Sequence, residues 1–299
     1  ADQAIHSLEC RDPTRSFFIQ IGFHRPHPPL DPPISYLKKY QDVKVKDPIV
    51  GKWEESFEDF KKKPLTKVDG ISGNLPEKEI YNTKKAYFAQ LTHIDYQIGK
   101  IYNYLRDKNL LKNTYLVFLS DHGEMLGDHN RFRKTIPWEG SAKVPLIIRP
   151  PDKVKCERGV LNDLCVSHID IMPTFLDAAN INIPEKVDGL SLKPLIDNKK
   201  ENWRKFIHGE HTSFRGWQFV TDGKEKYIWT TKSGEEWFFD LKNDPEEKIN
   251  LINSTEYENR IALWRNRLIR VLSKRPEDNL VKDNKLLSGS NLPSIRKIL

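Results

Sequence analysis

The sequence predicts an α/β fold: a mixed, mostly parallel sheet flanked by helices, followed by a small antiparallel sheet with a helix. Continuous apolar runs at 115–119 and 144–148 are typical of strands that a parallel sheet buries on both faces. Residues 76–108 carry apolar side chains at steps of three and four, which predicts a long amphipathic helix. Short aromatic segments separated by turn signals begin at residue 203 and predict the antiparallel sheet.

The first half of the chain alternates between predicted core elements and one long excursion. The apolar run at 17–22 predicts a core strand, and the stretch of 30–75, rich in Pro, Lys and Asp, predicts an irregular loop that shapes a cleft. The helix of 76–108 should bury one stripe of side chains: Phe88, Leu91, Ile94, Ile98, Ile101 and Leu105. Ser167 and Asp170 are spaced as a capping box at the start of a helix, so we interpret Asp170 as a cap and not as a catalytic group.

The second half of the chain predicts a domain boundary and a hairpin sheet. Residues 180–200 contain Pro, Gly and Lys and form a crossing segment, which divides the chain into predicted domains at 1–200 and 201–299. Asp222-Gly223 and Ser233-Gly234 are hairpin signals. The strands around them are predicted at 206–210, 217–221, 226–230 and 236–240, with a closing helix at 261–272.

Composition narrows the class of protein. The 299 residues are 37% hydrophobic and 30% charged, with a formal net charge of +7. No run of ~18 apolar residues occurs, so no membrane span is predicted. The basic runs lack the interleaved aromatic residues that stack on bases, so nucleic-acid binding is the least favoured of the functions considered. Three cysteines, Cys10, Cys156 and Cys165, do not make a disulfide framework, and pairing of Cys156 with Cys165 stays open.

The strongest chemical signal follows the strand at 115–119. Asp121 and His122 end that strand and supply a hard oxygen and a ring nitrogen, and Gly123 lets the backbone turn sharply beside a ligand. Lys134 lies further along the same loop, as a point charge suited to an anionic substrate. These residue types predict a metal and anion site, although an Asp-His-Gly triplet by itself is also an ordinary turn.

A second pair of candidates follows the apolar run at 17–22. His24 and His27 lie in a His-x-Pro-His-x-Pro turn, in which the prolines fix φ and hold both imidazoles in place. Such a rigid pair of histidines suits anion binding or proton transfer.

In this order the segments resemble the sulfatase family, in particular the arylsulfatase and iduronate-2-sulfatase branch of the alkaline-phosphatase-like superfamily. The ordered motifs lie at residues 17–29, 87–89, 94–99, 120–129, 144–148, 170–174, 184–192 and 239–251. The resemblance implies an alkaline-phosphatase-like sandwich, with 1–200 as the C-terminal part of the catalytic domain and 201–299 as the C-terminal subdomain. It also implies hydrolysis of a sulfate ester of a sugar or an aryl alcohol.

The sequence departs from the family pattern at the nucleophile. Sulfatases carry an Asp-Asp metal pair and a Cys-x-Pro-x-Arg or Ser-x-Pro-x-Arg motif whose first residue is oxidised to formylglycine, and neither motif occurs here. The stretch from Cys10 to Arg15 has one residue too many between Cys and Pro. We therefore expect a C-terminal portion of a sulfatase, inactive alone, whose partner is an N-terminal portion that carries the formylglycine.

The resemblance also assigns roles to the candidate residues. Asp121 and His122 match metal-binding positions, and the metal in this family is usually Ca²⁺. Lys134 matches the lysine that binds the sulfate oxygens, and His27 matches the histidine that contacts sulfate and protonates the leaving alcohol. Arg215 beside Trp217 suits a sugar ring with an anionic substituent, although an ordinary hairpin tip carries the same residue types. The expected substrate contacts are His24, His129, His211, Arg215 and Trp217.

Two further functions stay open beside the sulfatase. A phosphodiesterase or phosphonate hydrolase of the same superfamily usually holds two transition metals in a richer Asp and His set. A non-catalytic remnant would bind sulfated glycans without turnover. The resemblance leaves the compartment open among the periplasm, the extracellular space and the lysosome.

Overall fold

The structure is a computed structural model that describes residues 1–56, 75–199, 203–211 and 216–289. Its helices are α1 (Asp2–Glu9), α2 (Ile34–Leu37), α3 (Glu77–Asp107), α4 (Glu139–Ala142), α5 (Ile171–Ala178), α6 (Lys193–Ile196) and α7 (Glu258–Leu272). Its strands are β1 (Leu116–Leu119), β2 (Leu146–Arg149), β3 (Ile207–His211), β4 (Trp217–Thr221), β5 (Lys226–Thr230), β6 (Glu236–Phe239), β7 (Val281–Lys282) and β8 (Lys285–Leu286).

The described residues fall into two compact units. The first comprises 1–48, 75–117 and 148–155, and the second comprises 49–56, 118–147, 156–199, 203–211 and 216–289. The division at residue 200 that the sequence suggests stays a prediction.

The long helix α3 organises the first unit. It begins after Pro76, with Glu77 and Glu79 in the first turn, where negative charge favours the helix dipole. It ends before Asn109, whose φ of 56° leaves the helical region. The predicted helix is confirmed. Of the predicted stripe, Ile94, Ile101 and Leu105 are buried, whereas Leu91 is 40% exposed.

Within the part of the chain that the structure describes, the apolar run at 17–22 forms no strand of a sheet. Phe17, Ile19, Ile21 and Phe23 pack against the core of Leu8, Ile101, Leu105 and Leu111, whereas Phe18 is 72% exposed. The run is extended, so alternate side chains point to opposite sides. The consecutive apolar residues Phe17, Phe18 and Ile19 suggested burial on both sides, but the described structure covers only one.

The predicted strands after α3 are confirmed as β1 and β2, which form a two-stranded sheet. Phe118 is 37% exposed and Ile147 is 60% exposed, although both lie in runs that the sequence indicates are fully buried. The α/β class is confirmed, and within the described ranges β1 and β2 are the only strands found where the sequence predicts the larger, mostly parallel sheet.

The second unit is built on an antiparallel sheet with the order β3-β4-β5-β6. All four strands lie where the sequence predicts them. Gly223 and Gly234, with φ of 81° and 74°, occupy the turns between β4 and β5 and between β5 and β6. Because side chains alternate between the faces, one face packs on α7 and the other carries an aromatic cluster. The hydrophobic core between the sheet and α7 includes Val220, Tyr227, Trp229 and Phe238 of the sheet and Ile261, Trp264, Leu268 and Leu272 of the helix.

The predicted capping box at the start of α5 is present. Ser167 N–H donates to Asp170 Oδ2 at 2.8 Å, and Arg204 binds both carboxylate oxygens of Asp170. Asp170 is fully buried and committed to these contacts.

All three cysteines are free thiols. Among the described helices, none is both long and apolar enough to cross a bilayer.

Candidate active site

Asp121 and His122 form a turn directly after β1, in the second unit. The side chain of Asp121 is 86% exposed and that of His122 is 33% exposed. His122 Nδ1–H donates to the Gly123 carbonyl at 2.8 Å, and His122 Nε2 lies 3.6 Å from Asp121 Oδ2. This hydrogen bond fixes the tautomer, so that Nε2 presents its lone pair beside the carboxylate.

Backbone contacts within the second unit hold this turn in place. Gly123 N–H donates to the Ser141 carbonyl at 2.9 Å, and a Cβ at position 123 would lie 2.1 Å from the Gly140 carbonyl oxygen. Only glycine fits at this position, which explains the Gly of the Asp-His-Gly sequence. His168 Nε2–H donates to the Ser120 carbonyl at 2.7 Å and fixes the end of the strand.

The donor chemistry of the pair fits part of a metal site. Metal-binding histidines commonly donate their second ring N–H to a carbonyl, as His122 does. The carboxylate of Asp121 is a hard oxygen donor of the kind that Ca²⁺ prefers. No group of three or more His, Cys, Asp or Glu side chains is arranged to hold a metal within the part of the chain that the structure describes. The pair therefore supplies at most part of a ligand set.

Lys134 lies in a loop with an unusual backbone. Five non-glycine residues of this loop have positive φ: Leu126, His129, Asn130, Arg133 and Thr135. Such conformations cost free energy and are common at functional sites. The Glu124 carboxylate closes the loop by accepting hydrogen bonds from the backbone N–H groups of Leu126 and Arg133. The Lys134 side chain makes no hydrogen bond or ion pair with the described residues, which suits a group that binds an external anion.

His129 is buried, and both of its ring nitrogens are used within the second unit. Nε2–H donates to the Glu246 carbonyl at 3.1 Å, and Nδ1 accepts from Gly51 N–H at 3.2 Å. Its ring centroid lies 5.0 Å from that of Trp53. This geometry favours a structural role for His129 over the substrate contact that the sequence suggests.

His24 and His27 lie together in the first unit, with ring centroids 5.1 Å apart. His27 N–H donates to the His24 carbonyl at 3.1 Å, and His27 Nδ1–H donates to the Pro28 carbonyl at 2.9 Å. Arg25 pairs with Asp31 at 2.6 Å across the same turn. The Nε2 atom of His27 has no hydrogen-bond partner among the described residues, and the catalytic role of His27 and the substrate contact of His24 stay predictions.

The remaining candidates lie on or near the antiparallel sheet. Trp217 is only 4% exposed, and its ring centroid lies 5.3 Å from that of Trp138 in a T-shaped contact. This favours core packing over stacking on a sugar. His211 is the cross-strand partner of Trp217 and is exposed, although partial burial of its ring lowers the pKa of His211. Arg215 lies outside the described residues.

Two buried charges in this unit were not singled out from the sequence. Lys226 is fully buried at the start of β5, and its Nζ lies 2.9 Å from the Glu247 carboxylate. Glu247 is 1% exposed. Two sequence features could have identified them: Lys226 begins an aromatic strand, and Glu247 belongs to the motif at 239–251.

Comparisons with known proteins identify the family of the chain. The sulfatase family model matches residues 1–181, and the model of the C-terminal part of N-sulphoglucosamine sulphohydrolase matches residues 127–274. An arylsulfatase of Clostridium perfringens is 42% identical over 300 residues, covering 99% of this chain and 62% of its own length. An N-acetylglucosamine-6-O-sulfatase of Bacteroides thetaiotaomicron is 33% identical, covering 62% of this chain and 36% of its own length.

Solved structures share the fold. One, a complex with its substrate D-glucosamine-2-N,6-O-disulfate, has a TM-score of 0.75 at 22% identity and covers 93% of this chain and 69% of that chain. A phosphonate monoester hydrolase of Agrobacterium radiobacter has a TM-score of 0.74 at 24% identity and covers 91% of this chain and 59% of that chain.

The chain belongs to the sulfatase family, whose members are sulfuric ester hydrolases with the alkaline-phosphatase-like fold. It spans about three fifths of the arylsulfatase of Clostridium perfringens, at 62% of that protein's length. The phosphodiesterase or phosphonate hydrolase alternative is not favoured by these comparisons.

Proposed function

We propose that the whole protein to which this chain belongs hydrolyses a sulfate ester of a sugar or an aryl alcohol. The observation that carries this proposal is the loop that follows β1, which contains Asp121, His122 and Lys134, a cation with no hydrogen bond or ion pair among the described residues. A pair of metal-type donors and a lysine on one loop suit a tetrahedral anionic group. Membership of the sulfatase family selects sulfate as that group.

Asp121 and His122 are the residues of this chain that we expect to hold a divalent cation, and we propose Ca²⁺. Asp121 would supply a carboxylate oxygen and His122 its Nε2 atom. When bound, such a cation offsets the negative charge on the sulfate oxygens. Two donors do not complete a calcium site, since Ca²⁺ takes six to eight ligands. The remaining ligands would come from groups outside this pair.

Lys134 and His27 would act on the substrate itself. The Lys134 ammonium would bind the sulfate oxygens and stabilise the negative charge that develops as the ester bond breaks. His27 already donates from Nδ1, so its Nε2 would hold the proton that the leaving alcohol receives. His24, on the same turn, would orient the His27 ring or contact the sulfate.

We place the nucleophile outside these 299 residues, because neither formylglycine motif occurs in them. The family's formylglycine hydrate supplies the attacking oxygen when present. An N-terminal sulfatase portion that carries it is therefore our proposed partner, and we expect the 299 residues alone to be inactive.

The proposed substrate class is a sulfated sugar. The N-acetylglucosamine-6-O-sulfatase among the relatives and the structural neighbour with a disulfated glucosamine both support this choice. The exposed His211, at the end of β3, is the described residue of the antiparallel sheet best placed to contact such a sugar.

Turnover of three sulfate esters by the whole protein tests the proposal: 4-nitrophenyl sulfate, N-acetylglucosamine 6-sulfate and choline sulfate. We expect release of sulfate from the first two, and a His27→Gln variant should lose activity most strongly for the alcohol with the higher pKa, which most needs protonation. Binding of the sulfated sugar without release of sulfate would instead support a non-catalytic remnant. Faster hydrolysis of 4-nitrophenyl phosphate than of the sulfate would contradict the proposal.

A further inference from the structure

The segment 129–139, which carries Lys134, is attached at both ends to the adjacent residues Glu246 and Glu247, which form one turn. At its start, His129 Nε2–H donates to the Glu246 carbonyl at 3.1 Å. At its end, the backbone N–H of Glu139 donates to Glu247 Oε2 at 2.7 Å. Adjacent residues of the turn thus hold both ends of the segment.

The Glu247 carboxylate is itself held by a buried cation. Lys226 Nζ contacts Glu247 Oε1 at 2.9 Å, Glu139 Oε1 at 2.6 Å and the Pro137 carbonyl at 2.8 Å. Burial lowers the pKa of Lys226, but the two carboxylates outweigh that effect and raise its pKa overall. The ammonium therefore joins the end of the Lys134 segment to the sheet by ionic hydrogen bonds, which are stronger than neutral ones.

The same attachment reaches the Asp121–His122 turn. Glu139 begins the short helix α4, and Gly123 N–H donates to Ser141 in that helix. The indole N–H of Trp53 donates to the Glu247 carbonyl at 2.6 Å, and Trp53 stacks on Trp138 at 5.0 Å. Glu247 adopts a φ of 54°, a left-handed conformation that costs free energy in a non-glycine residue.

We propose that Glu247, with Lys226, is a positioning residue of the sulfate site: it fixes the segment of Lys134 and, through α4, the turn of Asp121 and His122. This inference rests on the proposed function. Glu247 does not touch the substrate in this account. Its effect on catalysis passes through the placement of Lys134 and of the metal-binding pair.

Hydrogen exchange on the full chain tests the attachment without reference to activity. Glu247→Asp keeps the charge that pairs with Lys226 but shortens the side chain, so that it no longer reaches the Glu139 amide. We expect amide exchange in peptides covering 121–141 to accelerate about tenfold, while the amides of β4 to β6 exchange as in the wild type. Glu246→Gln is the matched control, since the side chain of Glu246 is 41% exposed and only its carbonyl contacts His129.

Steady-state kinetics on the whole protein tests whether Glu247 affects catalysis. Glu247→Asp should lower kcat for 4-nitrophenyl sulfate by about 10–100-fold with a smaller change in KM, since the misplaced groups act mainly in the transition state. Glu246→Gln should stay within about twofold of the wild type. Unchanged exchange at 121–141, or equal acceleration in β4 to β6, would overturn the positioning role. Absence of turnover of both 4-nitrophenyl sulfate and N-acetylglucosamine 6-sulfate in the wild type would refute the proposed function and leave the exchange result to decide on the attachment.

Discussion

The surroundings of Lys134 indicate its function. Glu124 and the left-handed residues around it fix the loop, yet the Lys134 ammonium has no partner among the described side chains. A lysine on a strained and well-determined loop without an ion pair is typical of an anion-binding group.

Replacement of Lys134 should therefore affect turnover more than stability. Lys134→Met removes the charge and keeps most of the side-chain volume, and we expect kcat/KM for 4-nitrophenyl sulfate to fall by about 10²–10³-fold. Steady-state kinetics on the whole protein measures this. Lys205→Met, at an exposed position of the same unit, is the control and should leave kcat/KM unchanged. A loss of less than about fivefold in Lys134→Met would argue against a contact with sulfate.

At the residue scale, the sequence predicted the local roles of turn and cap residues better than the burial of individual side chains. The Asp121-His122-Gly123 turn and the Asp170 cap both follow from local chemistry, namely a strand end and a capping box. Burial of Trp217 and His129 depends on partners far along the chain, such as Trp138 and Glu246, and no local pattern contains that information. For the same reason, the role of Glu247 was visible only once Lys226 and Glu139 were placed beside it.

At the scale of elements, the packing of α7 on the antiparallel sheet should dominate the stability of the second unit. Leu268 is fully buried between α7 and the sheet, whereas Leu263 on the same helix is 50% exposed. Leu268→Ala should lower the free energy of unfolding by about 2–5 kcal/mol, through lost apolar contact and a residual cavity. Leu263→Ala should cost less than about 1 kcal/mol. Urea denaturation measures both, and equal effects would contradict the packing described here.

A second contact ties β3 to the residues after α7. Arg275 binds both carboxylate oxygens of Glu210, at 2.7 and 2.8 Å, and these hydrogen bonds lower the pKa of Glu210. A carboxyl group with a lowered folded-state pKa stabilises the fold above its unfolded-state pKa, and loses that effect as the pH falls through the folded-state value.

Glu210→Gln should therefore be less stable than the wild type at pH 7, and the difference should disappear in acid. Because the Glu210 side chain is 37% exposed, we expect a small difference. Urea denaturation at pH 7 and at pH 3 measures it, with Glu235→Gln, on a neighbouring turn, as a comparison. A difference that persists unchanged at pH 3 would show that the charge of Glu210 is not its origin.

The elements differed in how far they could be predicted. Helix α3 and strands β3 to β6 follow from periodicity and turn residues, which are local properties. The apolar run at 17–22 was expected to be a strand, but strand pairing needs a neighbour that the sequence pattern does not identify. Phe18, Phe118 and Ile147 are exposed for the same reason: an apolar run predicts burial but does not specify what covers it.

At the scale of the whole molecule, our proposal assigns to this chain two of the features that sulfate-ester hydrolysis needs, and the motif for the third does not occur in its sequence. It carries the Asp121–His122 pair that we propose as metal donors and Lys134, which has no partner among the described residues, but no motif for a formylglycine. Family membership follows from the matched residues 1–181. The chain covers 62% of the length of the Clostridium perfringens relative, and we propose that activity requires the whole protein.

Turnover of 4-nitrophenyl sulfate by the whole protein, before and after removal of metal by a chelator, tests the proposed metal-dependent sulfatase activity. The intact mass of the same sample under denaturing conditions identifies any companion polypeptide. We predict turnover, loss of activity on chelation and recovery with Ca²⁺, together with a formylglycine mass shift outside the 299 residues. A whole protein that binds Ca²⁺ but releases no sulfate, or that retains full activity after chelation, would contradict the account.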